Sequence, residues 1–174
     1  CLHCHVNAGP KRKEIMEFKV FKKIIHLLKE DNLVKTVDIT GGAPELNPHF
    51  RYFINELKFL GKSIIDRCNL TVLLENGQED TAEFLANNKV QIIASLPCYE
   101  EDNVDAQRGK GVFKKSIVAL KRLNSLGYGH KDTDLVLNLV YNPVGEHLPP
   151  PQKKLEDSYK KFLKREYGII FNNL

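Results

Sequence analysis

Short β-branched runs alternate with lysine-rich amphipathic stretches along this chain of 174 residues, and that alternation constrains the fold more than any single motif. Ile15, Met16, Phe18, Phe21, Ile24, Ile25, Leu27 and Leu28 recur at helical spacing and predict a helix over about 12–30. Leu33 to Thr40 is short and β-branched, so it reads as a strand running into Gly41-Gly-Ala-Pro-Glu45. Asn47-Pro48 predicts a helix start, with Phe50, Phe53, Ile54 and Leu57 as its apolar face and Gly61 at its end. The pattern then repeats. Strands are expected at 62–66, 90–95 and 134–140, and helices at about 79–87, 111–126 and 151–167. An acidic loop is expected after Tyr99, and a further strand is expected to begin at Gly168-Ile-Ile-Phe171.

Units of roughly 25 to 45 residues argue for parallel strands with helical crossovers. A closed eight-unit barrel takes ~250 residues. The expected fold is therefore α/β: a partial (β/α)6 TIM-like barrel with parallel strands, truncated at both ends. A doubly wound sheet is the alternative. Residues 1–174 read as a single incomplete domain, cut through a motif because the chain opens on Cys1. In such folds ligands bind at the strand C-terminal ends, and the glycine-rich and polar segments here all follow strands.

Composition closes several other doors. With 42% hydrophobic and 28% charged residues the chain is a globular protein rather than a disordered one. The net charge of +4 comes mainly from lysines on helix faces, and no RNA-binding aromatic pattern accompanies them, so no nucleic-acid partner is expected. No apolar run approaches the roughly 20 residues of a membrane span. No membrane partner and a cytoplasmic location are expected, with organellar targeting left open by the start at Cys1. The four cysteines, Cys1, Cys4, Cys68 and Cys98, then belong to a reducing compartment, where they serve metal binding or chemistry.

Cys1-Leu-His-Cys-His5 has the residue types of a metal-loading loop. It satisfies the haem-attachment pattern literally, it offers zinc ligands without a second cysteine pair, and its thiolates suit an iron–sulfur cluster. A turn without any cofactor is the fourth reading.

Three further features resemble the radical S-adenosylmethionine (SAM) superfamily: the cysteine pair after a lost strand, Gly-Gly-Ala-Pro-Glu after the next, and Ser95 ending a later one. That family's loop is C-x-x-x-C-x-x-C. The resemblance makes Cys1 and Cys4 ligands of a [4Fe-4S] cluster and expects a further cysteine upstream. As given, the chain lacks one cluster ligand and is expected to load poorly. Gly41, Gly42 and Glu45 correspond to the Gly-Gly-Glu motif, whose backbone is expected to bind the SAM amino group. Asn69 falls where relatives place the asparagine of a Thr-Asn-Gly turn. Ser95 and Arg108-Gly-Lys-Gly-Val-Phe113 match a strand-ending serine followed by Arg-Gly-x-Gly-x-Phe. The resemblance implies that Ser95 contacts the SAM ribose or carboxylate, Arg108 pairs with the carboxylate, and Asn138 reaches the ribose. It also implies reductive SAM cleavage to a 5′-deoxyadenosyl radical, with a reductase, flavodoxin or ferredoxin as electron donor.

A narrower resemblance rests on long strings in order. Cys4-His-Val-Asn-Ala-Gly-Pro10, Asp38-Ile-Thr-Gly-Gly-Ala-Pro-Glu-Leu-Asn-Pro-His-Phe-Arg51, Ala94-Ser-Leu-Pro-Cys-Tyr99, Asn103 to Phe113 and Leu139-Val-Tyr-Asn-Pro-Val-Gly145 are similar to the arsenosugar-biosynthesis radical SAM family. That likeness implies addition of the deoxyadenosyl group to a trivalent methylated arsenical. Soft trivalent arsenic prefers thiolate. Cys68 and Cys98 both lie just past strand ends, and one or both are expected to hold the arsenical. A radical SAM enzyme of another substrate class, or a non-catalytic zinc or iron–sulfur module, are the alternatives.

Overall fold

A computed structural model describes residues 8–9, 12–143 and 148–174. Four strands form one parallel sheet in the order β1-β2-β3-β4, namely Thr36–Ile39, Ser63–Asp66, Gln91–Ser95 and Leu137–Val140. Helix α1 (Phe18–Glu30) leads into β1, α2 (Phe50–Phe59) joins β1 to β2, and α3 (Thr81–Asn87) joins β2 to β3. Helices α4 (Glu101–Arg108) and α5 (Val112–Ser125) join β3 to β4, and α6 (Gln152–Tyr167) follows β4. This is the α/β architecture with a four-stranded parallel sheet expected of a partial TIM-like barrel.

Side chains alternate across a strand, so register assigns each residue to a face. Ile64, Asp66, Ile92, Ala94, Leu137 and Leu139 share one face and are buried in the helix-covered core. The core continues into Phe53, Ile54 and Leu57 of α2 and into Phe113, Ile117, Leu120 and Leu123 of α5. The opposite face carries Asp38, Ile65, Ile93, Ser95, Asn138 and Val140, all exposed or half-exposed. In a barrel this second face is the interior side.

Several boundaries differ from the sequence expectation for identifiable reasons. Helix α1 begins at Phe18, leaving Ile15 and Met16 outside it and 60% and 46% exposed. The stretch before it carries Arg12 and Lys13, and cations at a helix N-terminus oppose its dipole. Asn47 does not open α2. It closes a 3₁₀ turn at Pro44–Leu46, its Oδ1 accepts from His49 N at 2.9 Å, and its Nδ2 donates to the Met16 carbonyl at 3.0 Å. The expected acidic loop is largely helix α4. Its acidic first turn, Glu101 and Asp102, favours the helix N-terminus. Residues 168–171 form no regular strand. Instead Asn173 makes a parallel bridge to Asn138, and Asn172 N donates to the Leu137 carbonyl at 2.8 Å.

Candidate functional site

The C-terminal ends of β1, β2 and β3 bring most of the expected site residues together. After β1, Gly41 and Gly42 present exposed backbone. A Cβ on Gly42 would lie 2.8 Å from the Ala8 Cβ, so glycine is what lets this turn pack against the chain just beyond the cysteine loop. Cys1 and Cys4 themselves, with His3 and His5, lie outside the described residues.

The β2 end is continuous with its neighbours beyond the regular strand. Arg67 N donates to the Ile39 carbonyl at 2.9 Å, and Cys68 N to the Ile93 carbonyl at 3.0 Å. Arg67 also donates from Nε and Nη2 to the Asp38 carboxylate at 2.8–3.1 Å on the open face. Arg108, the last residue of α4, turns back across β3. Its Nη1 donates to the Ser95 carbonyl and its Nη2 to Asn69 Oδ1. One guanidinium therefore ties the β2 and β3 ends together, as its divergent donors permit. Burial pushes its pKa down from the usual value.

The Arg-Gly-Lys-Gly string has a local structural reason. Gly109 (φ 113°) and Gly111 (φ 82°) take backbone conformations that strain other residues. Asp105 then accepts from Gly111 N at 2.6 Å and Phe113 N at 2.9 Å, satisfying the start of α5. The turn thus delivers Arg108 to the strand ends.

Two expectations are placed differently by the geometry. Asn138 shares the open face, but its Oδ1 accepts from Asn173 N at 3.1 Å and from Asn173 Nδ2 at 3.2 Å. Its carbonyl is occupied in closing the edge of β4. Cys68 is fully buried, and burial first, then the Glu45 and Asp66 carboxylates, push its thiol pKa well up; Arg108 pulls more weakly the other way. Cys68 is a sealed thiol, not an accessible thiolate.

Cys98 is half-buried in the turn after β3. Burial raises its pKa, so it too rests as a thiol. Tyr99 beside it packs edge-on to Tyr159 of α6 at 4.9 Å and against Phe162 at 5.1 Å. The Tyr159 hydroxyl donates to the Leu96 carbonyl at 3.0 Å, which anchors the turn to α6. Tyr141, after β4, completes the aromatic wall 6.4 Å from Tyr159.

Beneath the β1 and β2 ends lies a cluster that the sequence reading missed as a unit. Glu45 and Asp66 are 5% and 0% exposed, and among the described residues their four carboxylate oxygens meet no donor in hydrogen-bond geometry. Burial raises both acids, Asp66 strongly, and each is raised or modulated further by its neighbour. The available signal was an aspartate ending the apolar Ser63-Ile-Ile-Asp66 strand.

A family model of the radical SAM superfamily matches residues 1–144. The chain belongs to that superfamily. No curated protein matches it at a significant level. Radical SAM proteins use a [4Fe-4S] cluster and S-adenosylmethionine, and act on a substrate with electrons from a donor. The described residues fit the SAM part of that requirement: bare peptide groups at Gly41–Gly42 for an amino-acid moiety, and a guanidinium at Arg108 beside Ser95 and Asn69. The contact of Gly42 with Ala8 sets the glycine turn next to the segment that leads back to the cysteines. Among the described residues no helix is long and apolar enough to cross a membrane.

Proposed function

We propose that this chain carries the cofactor-binding core of a radical SAM enzyme that transfers a 5′-deoxyadenosyl group to a trivalent methylated arsenical. When bound, the cluster and SAM supply the electron and the 5′-deoxyadenosyl radical. Cys1 and Cys4 would hold the cluster. The backbone of Gly41 to Glu45 would take the SAM amino group, while Arg108, Ser95 and Asn69 would receive the carboxylate and ribose side. The Arg108 bridge carries this assignment, because it fixes three candidate residues, from the segment beyond β2, the end of β3 and the end of α4, in one place. A guanidinium with two hydrogen bonds spent still presents its charge, and charge-assisted contacts to a carboxylate are the stronger class. Asn138 is the weakest member of the set, since its carbonyl already accepts from Asn173.

The arsenical reading rests on the long string matches and on Cys98. The thiol sits half-buried at a strand end, beside Tyr99. A thiol condenses with an arsenic-bound hydroxyl, forming an As–S bond and releasing water, so no prior thiolate is required. Cys68, sealed from solvent, is the poorer candidate. The electron donor is a flavodoxin, ferredoxin or reductase.

The test is SAM turnover by the full-length, cluster-loaded protein with and without a trivalent methylated arsenical. The expected result is a deoxyadenosyl–arsenic product that falls sharply in Cys98→Ser. Turnover of SAM unaffected by the arsenical, with no arsenic-containing product, would move the protein to another radical SAM substrate class.

A further inference from the structure

The geometry points to Glu45, Asp66 and Cys68 as a buried site for one divalent metal ion of borderline softness, such as Zn²⁺ or Fe²⁺. This site would draw on none of the opening cysteines and stands independently of the SAM reading.

One ligand atom from each residue lies within 4.8 Å of the others. Metal–oxygen and metal–sulfur bonds of about 2.0–2.3 Å at a tetrahedral ion place ligand atoms roughly 3.3–3.7 Å apart, so binding draws the three atoms inward from that outer limit. All three side chains are buried. Two carboxylates and a thiolate are a mixed hard and soft donor set, which suits a borderline ion better than Ca²⁺ or Mg²⁺.

A proton is the competing occupant. Glu45 and Asp66 approach closely enough for one proton to bridge them, but one proton links only two of four carboxylate oxygens. The Cys68 thiol can serve one of the other two, since it interacts with Glu45, and one oxygen is still left unpaired among the described residues, which is costly when buried. Arg108 lies near Cys68, yet its guanidinium donates to Ser95 and Asn69 rather than to the acids. A single ion would engage all three side chains at once, with the thiol proton and any carboxyl proton leaving to solvent. The guanidinium nearby would then offset the remaining negative charge.

The ligands come from the 3₁₀ turn after β1 (Glu45), the last residue of β2 (Asp66) and the segment just beyond it (Cys68). An ion there would clamp the Gly41–Gly42 turn and the Cys68–Asn69 segment from below, and so support the strand-end site without touching what binds above it.

Co²⁺ serves as the probe, added to full-length protein carrying Cys1→Ser, Cys4→Ser and Cys98→Ser so that Cys68 is the only cysteine of this segment left. The expected result is one equivalent bound with a thiolate-to-cobalt charge-transfer band, lost in Glu45→Gln/Asp66→Asn. X-ray absorption on the parent should show one sulfur and otherwise light ligands, which tests the site even where a ligand variant fails to fold. No band at stoichiometric Co²⁺ in folded protein overturns the proposal. So does a band that survives in folded Glu45→Gln/Asp66→Asn, or an absorption spectrum without a sulfur ligand.

Discussion

Single side chains carry two consequences that unfolding and binding measurements can reach. In metal-free protein the Asp66 carboxyl is pushed well above its usual range, by burial first and then by Glu45. A carboxyl raised in the folded state contributes stability that is full below its unfolded pKa and lost as pH rises through the folded value. The stability of wild type relative to Asp66→Asn should therefore fall as pH rises above the ordinary aspartate range. Denaturant melts at rising pH check it, and a gap that widens with pH contradicts it. Arg108 makes the second case. Arg108→Lys cannot reach Ser95 and Asn69 together, and losing one charge-assisted hydrogen bond costs about 1.5–3 kcal/mol. SAM binding, measured by equilibrium dialysis, should weaken by about tenfold or more, and unchanged affinity would remove Arg108 from the site. Much of this scale was legible in the chain: Gly41, Gly42, Asn69, Ser95 and Arg108 lie at the strand ends as their motifs implied. Asp66 was not, because a lone acid in an apolar strand gives no hint of which loop folds over it.

At the scale of elements the glycines separate cleanly. Gly42→Ala drives a Cβ to 2.8 Å from the Ala8 side chain, whereas Gly41→Ala meets nothing nearer than 3.8 Å. Iron content after cluster loading should drop in Gly42→Ala and stay near wild type in Gly41→Ala; equal loading would contradict the packing of the turn on the loop. The α4–α5 corner gives a second contrast. Asp105→Ala removes both acceptors at the α5 start and should cost about 1–2 kcal/mol by denaturant unfolding. Helix α4 also shows why an element can stay hidden. Of its eight residues only Val104 and Ala106 are apolar, so no periodic face exists to read. Its acidic start and the glycines beyond Arg108 were the available signals. Helices α2 and α5, with full apolar faces, were visible at once. The start of α1 was misplaced because a run of apolar residues continues upstream into a basic stretch that does not support a helix.

Across the whole molecule, strand and helix alternation translates directly into a parallel sheet with one face under helices and one open. The open face holds Asp38, Arg67, Ser95 and Asn138, and the site belongs to its C-terminal rim. What sequence periodicity cannot supply is the closing of that rim by distant parts: Arg108 from α4, Tyr159 from α6, and Asn173 against β4. Those contacts depend on how crossovers stack, which no local pattern encodes. The claim at the centre of the account is that this rim, with the opening cysteines, is the core of a radical SAM enzyme. It is tested most directly by incubating cluster-loaded, chemically reduced full-length protein with SAM and quantifying the products. The account predicts 5′-deoxyadenosine and methionine in equal amounts, both lost in Cys4→Ser. Intact SAM after reduction of a fully loaded cluster would contradict it.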